Sequence, residues 1–211
     1  MIITYYGKQF FKITQGEMVL AFNPVSKESK TKINSHFGAD IALVTTNHPD
    51  YNGLGQLEYG ERVPFAVTGP GDYEVKEIFI KGILSSANFG DKKYINTIYS
   101  LSVDSINIAF LGSLSDETLS KEALESINEP DILFIPVGGK DLGLIDVKAA
   151  AKIASSLEPK MIIPMEYDEA SLKMFLKEMG EDGVESVDKL TLKRKDLEGK
   201  ATEVVVLSSV N

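Results

Sequence analysis

The sequence predicts an α/β (α+β) fold of four layers, αββα, in which two sheets pack face to face with helices outside. Three observations carry this. From Ile2 to Leu111 the chain reads as β-rich runs separated by turn signals. From Leu119 onward, short apolar runs alternate with segments of helical spacing. No low-complexity linker and no repeat of fixed period separates the halves, so one globular unit over 1–211 is expected. Each sheet face and each helix stripe needs an apolar partner, and two sheets with helices outside satisfy both halves.

The elements follow in order. Ile2–Tyr5, Phe10–Ile13 and Met18–Phe22 are β-rich and are separated by Gly7 and by Gln15-Gly16, which predicts a meander. Asn23-Pro24 ends the third strand, and the polar stretch to Ser35 reads as a loop. Ile41–Thr45 is a short apolar run expected to be a buried strand. It leads directly into Thr46-Asn47-His48-Pro49-Asp50-Tyr51-Asn52-Gly53, and polar groups at the end of a buried strand are a common way to build a site. Phe65–Thr68 precedes a Gly69-Pro70-Gly71 turn, and Glu74–Leu84 reads as one long β segment. Ile95–Val103 and Ile106–Leu111 predict a hairpin joined at Asp104-Ser105. Leu119–Ile127 has helical spacing, and Ile132–Val137 is a buried-strand run ending at Gly138-Gly139. Asp146 is placed to cap a helix through Leu157, with Val147, Ala150, Ala151 and Ala154 on one face. Met161–Pro164 predicts a strand. Leu172, Phe175, Leu176 and Met179 mark a helix that Gly180 terminates. Thr202–Leu207 predicts the last strand.

Composition narrows the function. No run of 18 apolar residues is present, which argues against a membrane span. The start lacks a basic region followed by an apolar core, so no signal peptide and a cytoplasmic location are expected. The chain has no cysteine, which excludes disulfides and thiolate metal sites. A net charge of -9 repels phosphates and argues against a general nucleic-acid partner. The basic stretches Lys27–Lys32 and Lys193-Arg194-Lys195 read as solvated loop or edge strand.

Landmarks in order along the chain then carry a resemblance. Tyr6-Gly7 with Phe11-Lys12-Ile13 opens the series, followed by Thr68-Gly69-Pro70-Gly71-Asp72-Tyr73-Glu74-Val75-Lys76. Next come Asn96-Thr97-Ile98-Tyr99, Leu111-Gly112, the run from Asp131 to Gly139 (DILFIPVGG), and Ile163-Pro164-Met165-Glu166-Tyr167. Asp188-Lys189-Leu190 and Val204-Val205-Val206-Leu207 close it. Together they resemble a small bacterial branch of the metallo-β-lactamase superfamily of metal-dependent hydrolases. The resemblance implies metal ligands in a His-x-His-x-Asp-His motif, a further histidine after the long strand, a bridging aspartate in an LGD segment and a last histidine in IPMHY. Here those positions fall on Thr46, His48, Asp50, Tyr51, Ala87, Ser113 and Glu166. His48 and Asp50 keep their residue type, and Glu166 is a different candidate ligand.

The implied chemistry uses one or two metal ions to generate hydroxide and polarise an oxygen. Zinc in a catalytic site usually has three protein ligands, drawn largely from imidazole and thiolate. Only His48 of the implied imidazoles remains, and His36 matches no ligand position. No cofactor is therefore expected. The alternative is one weakly bound divalent ion, Zn, Mn or Mg, held by His48, Asp50 and Glu166. Plainer roles stand beside these. His48 can shape the turn before Pro49 by bonding a backbone carbonyl. Asp50 can form an Asx-turn. Glu166 can be a solvated carboxylate ahead of a helix. Tyr51 and Ala87 fit a pocket being filled. Ser113 with His48 and Asp50 lists serine-hydrolase residue types, but no G-x-S-x-G elbow surrounds it. Gly138-Gly139-Lys140 lacks phosphate-loop spacing. The expected function is a hydrolase-like fold, catalytically inactive, that binds a small molecule or a protein. Its rivals are a single-metal hydrolase and a self-associating structural homo-oligomer.

Overall fold

The computed structural model describes residues 1–33, 35–127 and 129–210. β1 (Ile2–Gly7), β2 (Phe10–Gln15) and β3 (Met18–Phe22) form the expected antiparallel meander, and β4 (Ile41–Leu43) and β5 (Phe65–Val67) extend it in parallel. The chain then crosses to the second sheet. There β6 (Gly71–Val75), β7 (Ile78–Phe89), β8 (Lys92–Val103) and β9 (Ile106–Phe110) are antiparallel neighbours. β10 (Ile132–Pro136), β11 (Met161–Met165) and β13 (Glu203–Val204) add to β9 in parallel, while β12 (Leu190–Thr191) returns to pair with β1. The sheets run β12-β1-β2-β3-β4-β5 and β13-β11-β10-β9-β8-β7-β6. The division between them falls at residues 68–70, well before the change from strands to alternating elements. The strand-rich half therefore supplies both sheets.

Two local expectations are corrected. The segment read as one strand over Glu74–Leu84 reverses at Lys76-Glu77, both at positive φ (49° and 66°). Two-residue hairpin turns need that backbone, but neither residue is the Gly, Asn or Asp that announces it. The last strand, expected over Thr202–Leu207, pairs only at Glu203–Val204, with an isolated bridge from Val187 to Leu207.

The main core lies between the sheets. Ile3, Phe11, Ile13, Leu20, Phe22, Ile41 and Leu43 meet Tyr99, Leu101, Ile108, Phe110, Ile132, Phe134 and Ile163. Phe22 stacks on Phe110 at 4.7 Å and Phe11 meets Phe134 edge-on at 4.9 Å, the geometries that aromatic quadrupoles favour. On the far side of the second sheet, α1 (Lys121–Ser126), α2 (Val147–Leu157) and α3 (Glu169–Met179) bury Ala123, Ala150, Ala154 and Phe175 against it. Ser120, Asp146 and Asp168 cap them, each accepting a first-turn amide, and Gly180 ends α3 in the left-handed region. Over the first sheet the outer layer is thinner. Among the described residues, Phe10, Ala21 and Ala42 are covered by Val25, Ala39 and Leu57, from the loop after β3 and from a 3-10 turn at Leu54–Gln56. No helix of the described residues is long and apolar enough to cross a membrane.

Candidate functional site

Parallel pairing of β3 with β4, and of β9 with β10 and β11, brings their C-terminal ends to one edge of the sandwich. Side chains gather there because polar residues follow each apolar run. The β1–β2 turn closes over them. Lys8, at φ 53°, accepts from the Glu166 amide at 2.9 Å and from the Tyr5 hydroxyl at 3.0 Å through its carbonyl, which anchors the turn on the end of β11. Close packing fixes the backbone. Gly112 has φ 61°, and a Cβ there would come within 2.5 Å of Asn96 Oδ1 and 2.7 Å of Thr45. A Cβ on Gly138 would strike the Glu166 carbonyl.

One hydrogen-bonded network runs through the edge. Thr46 Oγ1 donates to Asn96 Oδ1 at 3.2 Å, and the Ser113 amide donates to the same oxygen at 2.9 Å. Asn96 Nδ2 donates to Ser85 Oγ and to the Leu111 carbonyl. Gln9 Nε2 donates to Ser113 Oγ at 3.0 Å and to Glu166 Oε2. Asn23 ties Gln9 to Thr45, giving Nδ2 to Gln9 Oε1 at 2.8 Å and to Thr45 Oγ1 at 2.9 Å. The Tyr51 hydroxyl donates to Glu166 Oε1 at 2.6 Å. Lys8 Nζ lies 2.7 Å from Asp50 Oδ2 and 3.4 Å from Glu166 Oε1, and Ser29 Oγ donates to the other Asp50 oxygen. Glu166 and Tyr51 are 7% and 1% exposed, so these bonds replace water that the carboxylate has lost.

Thr46, Asp50, Tyr51, Ser113 and Glu166 thus lie in one network. His48 sits beside it, with Nδ1 4.0 Å from Asp50 Oδ2. Its ring stacks on Phe89 at 4.6 Å and meets Tyr94 edge-on. The bond to a backbone carbonyl expected of His48 is replaced by one from the Asp50 amide to Nδ1 at 3.3 Å. Ala87 is buried on β7 opposite Tyr94 and has no polar atom to contribute. Two residues on, Phe89 folds over Tyr51 at 5.6 Å. The Asx-turn role for Asp50 gives way to pairing with Lys8 and Ser29. Glu166 is a buried acceptor at φ 49°, three residues before α3, rather than a solvated carboxylate. His36 lies elsewhere, exposed, with Nε2 against the Glu58 carbonyl.

Sequence reading missed Lys8, Gln9, Asn23, Ser29 and Asn96. A signal existed for the first two. Lys8-Gln9 occupies a turn between apolar strands, where Gly, Asn or Asp is the usual choice.

The charges are interlocked. Burial works to lower the Lys8 ammonium, but the charge of Glu166 and the bond and charge of Asp50 outweigh it and hold Lys8 above its ordinary value. Burial likewise works to raise Asp50, and the bonds from Lys8 and Ser29, with the charges of Lys8 and His48, bring it below the usual carboxylate value. Burial, and then the Glu166 charge, push the Tyr51 phenol far above its ordinary value, so it stays a donor. Among the described residues, no three of His, Cys, Asp and Glu are grouped so as to hold a metal ion.

Several solved structures resemble this chain. A protein described as a Zn-dependent hydrolase of the metallo-β-lactamase superfamily, from Thermotoga maritima, is 26% identical. It aligns over 98% of this chain and 99% of its own, with a TM-score of 0.72. A protein described as a metal-dependent hydrolase from Parabacteroides distasonis is 17% identical over 98% and 93%, at 0.67. A metallo hydrolase from Ignicoccus hospitalis is 17% identical over 91% and 99%, at 0.63. No curated protein matches the sequence. The family model for the beta-lactamase superfamily domain matches residues 2–166, from the first residue of β1 to the carboxylate at the centre of the network. With that match spanning β1 to β11 and all seven candidate positions, the chain belongs to the metallo-β-lactamase superfamily.

Proposed function

We propose that this chain keeps the hydrolase fold without the family's metal-dependent hydrolysis, and that it acts by binding a small molecule or a protein at the edge of the sandwich. One observation carries the reading: the carboxylates at the former ligand positions are engaged by the chain's own donors. Asp50 takes Lys8 and Ser29, and Glu166 takes Lys8, Gln9 and Tyr51. A metal ion would have to displace these bonds and would find a single imidazole, which is a poor donor set for zinc. Tyr51 is buried with its hydroxyl on Glu166 and Phe89 lies against its ring, so a bound molecule would meet the partly exposed His48 and exposed Asn47 and not Glu166.

The reduced single-metal hydrolase has one observation in its favour, the approach of His48 Nδ1 to Asp50 Oδ2 at 4.0 Å. Elemental analysis of purified protein, a zinc titration and a screen against ester, lactam and phosphodiester substrates separate the two. The expected result is zinc far below one ion per chain and no metal-dependent turnover. Tight zinc at about one ion or more per chain, with turnover that chelation abolishes, would establish the single-metal hydrolase instead.

A further inference from the structure

We infer that the Lys8 ammonium is a tethered stand-in for the metal: a cation built into the chain that holds together the two carboxylates at Asp50 and Glu166. The inference rests on the reading above, that these carboxylates do not serve a metal ion, and names what took the ion's place.

Three features point to Lys8. The first is position. Nζ reaches Asp50 at 2.7 Å and Glu166 at 3.4 Å, residues from different sheets that are 116 positions apart in sequence. Without a cation, two carboxylates held close together repel. Metal ions join such carboxylates at roughly 2.0–2.2 Å, and an ammonium does so at ordinary hydrogen-bond length. The second is backbone. Lys8 adopts φ 53° in a tight turn, where a side chain is disfavoured and Gly or Asn would be easier. That backbone, with the Lys8 carbonyl held by the Glu166 amide at 2.9 Å, fixes the turn from which the ammonium reaches both carboxylates. The third is burial. The Lys8 side chain is only 25% exposed, and its Nζ also lies 5.9 Å from the centre of the Tyr51 ring, a geometry that attracts a cation.

The remaining donors fit the same substitution. One ammonium carries less charge than a divalent ion, and the difference is met by neutral donors: Tyr51 and Gln9 on Glu166, Ser29 on Asp50. A tethered cation costs no binding entropy and does not depend on metal supply. It couples the two sheets in any medium in which the lysine is charged.

The absence of cysteine makes a chemical test available. In Lys8→Cys, the thiolate displaces bromide from 2-bromoethylamine, forming an S–CH2 bond and a side chain that ends in an ammonium at nearly the length of lysine. Iodoacetamide on the same cysteine gives a neutral amide of similar bulk. Both reactions are run on unfolded protein, which is then refolded, so folding of the unmodified variant is not required. The expected result is that Lys8→Ala melts about 5–10 °C below the wild type, that the aminoethylated form regains most of this, and that the amide form does not. Ethylammonium chloride should raise the melting temperature of Lys8→Ala above that in sodium chloride of equal ionic strength. Tetramethylammonium, which has no N–H, should not. Equal melting of the two labelled forms, or Lys8→Ala as stable as the wild type, would overturn the inference while leaving a zinc-free wild type intact. Stoichiometric zinc on the wild type would instead overturn the reading beneath it.

Discussion

Glu166 shows how a single position changes its chemistry. A histidine there would offer a metal one nitrogen. A glutamate offers two oxygens, and three side chains supply donors to them. Glu166→Ala would leave Lys8, Gln9 and Tyr51 without their acceptor in a buried setting, and should cost roughly 3–5 kcal/mol in urea unfolding. Tyr51→Phe removes one donor and keeps the ring against Phe89, so about 1–2 kcal/mol is expected. If Tyr51→Phe cost more than Glu166→Ala, a partner of the hydroxyl other than the carboxylate would dominate. At this scale the resemblance assigned seven candidate positions along the chain, Ser113 and Glu166 by landmarks directly beside them. Lys8 and Gln9 stood out only as an unusual turn pair. Their importance lies in where a turn points, and one turn resembles another until it is packed against something.

The elements explain why the site is rigid. The β1–β2 turn is bolted to the end of β11 through the Lys8 carbonyl, and the β9 end passes Asn96 and Thr45 so closely that only glycine fits at position 112. Gly112→Ala adds both a positive-φ penalty and a clash, and about 2–4 kcal/mol of destabilisation is expected. A scan of melting temperature would show it, and a neutral Gly112→Ala would mean that the Asn96 contact is loose. The long β7–β8 hairpin acts from the other side by laying Phe89 on His48 and Tyr51. Phe89→Ala should cost about 1–3 kcal/mol, less than for a fully buried ring because Phe89 is half-buried. It should also raise hydrogen exchange at residues 48–51. Most of these elements were legible from period and punctuation. The turn at Lys76-Glu77 was not, because sheet pairing imposes left-handed backbone on residues that do not advertise it.

For the whole molecule the charges set the pH range of stability. Asp40 is buried at the start of β4. The Lys76 ammonium at 2.6 Å, the Val19 amide and Arg62 overcome its burial and hold its carboxyl below the ordinary value. Asp50 is depressed in the same way. Groups lowered on folding contribute stability that is complete above the unfolded value, 3.8 for both, and is lost as pH falls through the lower folded value. Lys8 is raised, so its contribution is complete below 10.5 and is lost as pH rises through the higher folded value. The urea midpoint should therefore be flat from roughly pH 5 to 9 and fall on both sides. Asp40→Asn should lower the plateau and soften the acid limb. An acid limb unchanged in Asp40→Asn and Asp50→Asn would assign acid unfolding to other groups.

Sequence alone determined the class of fold, because hydrophobic period and turn residues are local quantities and the two-sheet arrangement is the one that buries every apolar face. It also gave one histidine among the positions to which the resemblance assigns ligands, since that needs only a count of residue types. Tertiary structure decided which groups meet the two carboxylates. Lys8, Asp50 and Glu166 are distant in the chain, the first two following strands of one sheet and the third a strand of the other, and their meeting depends on which strand ends share an edge and how a two-residue turn aims its side chains. Residue order constrains such long-range angles only through the packing of the whole molecule.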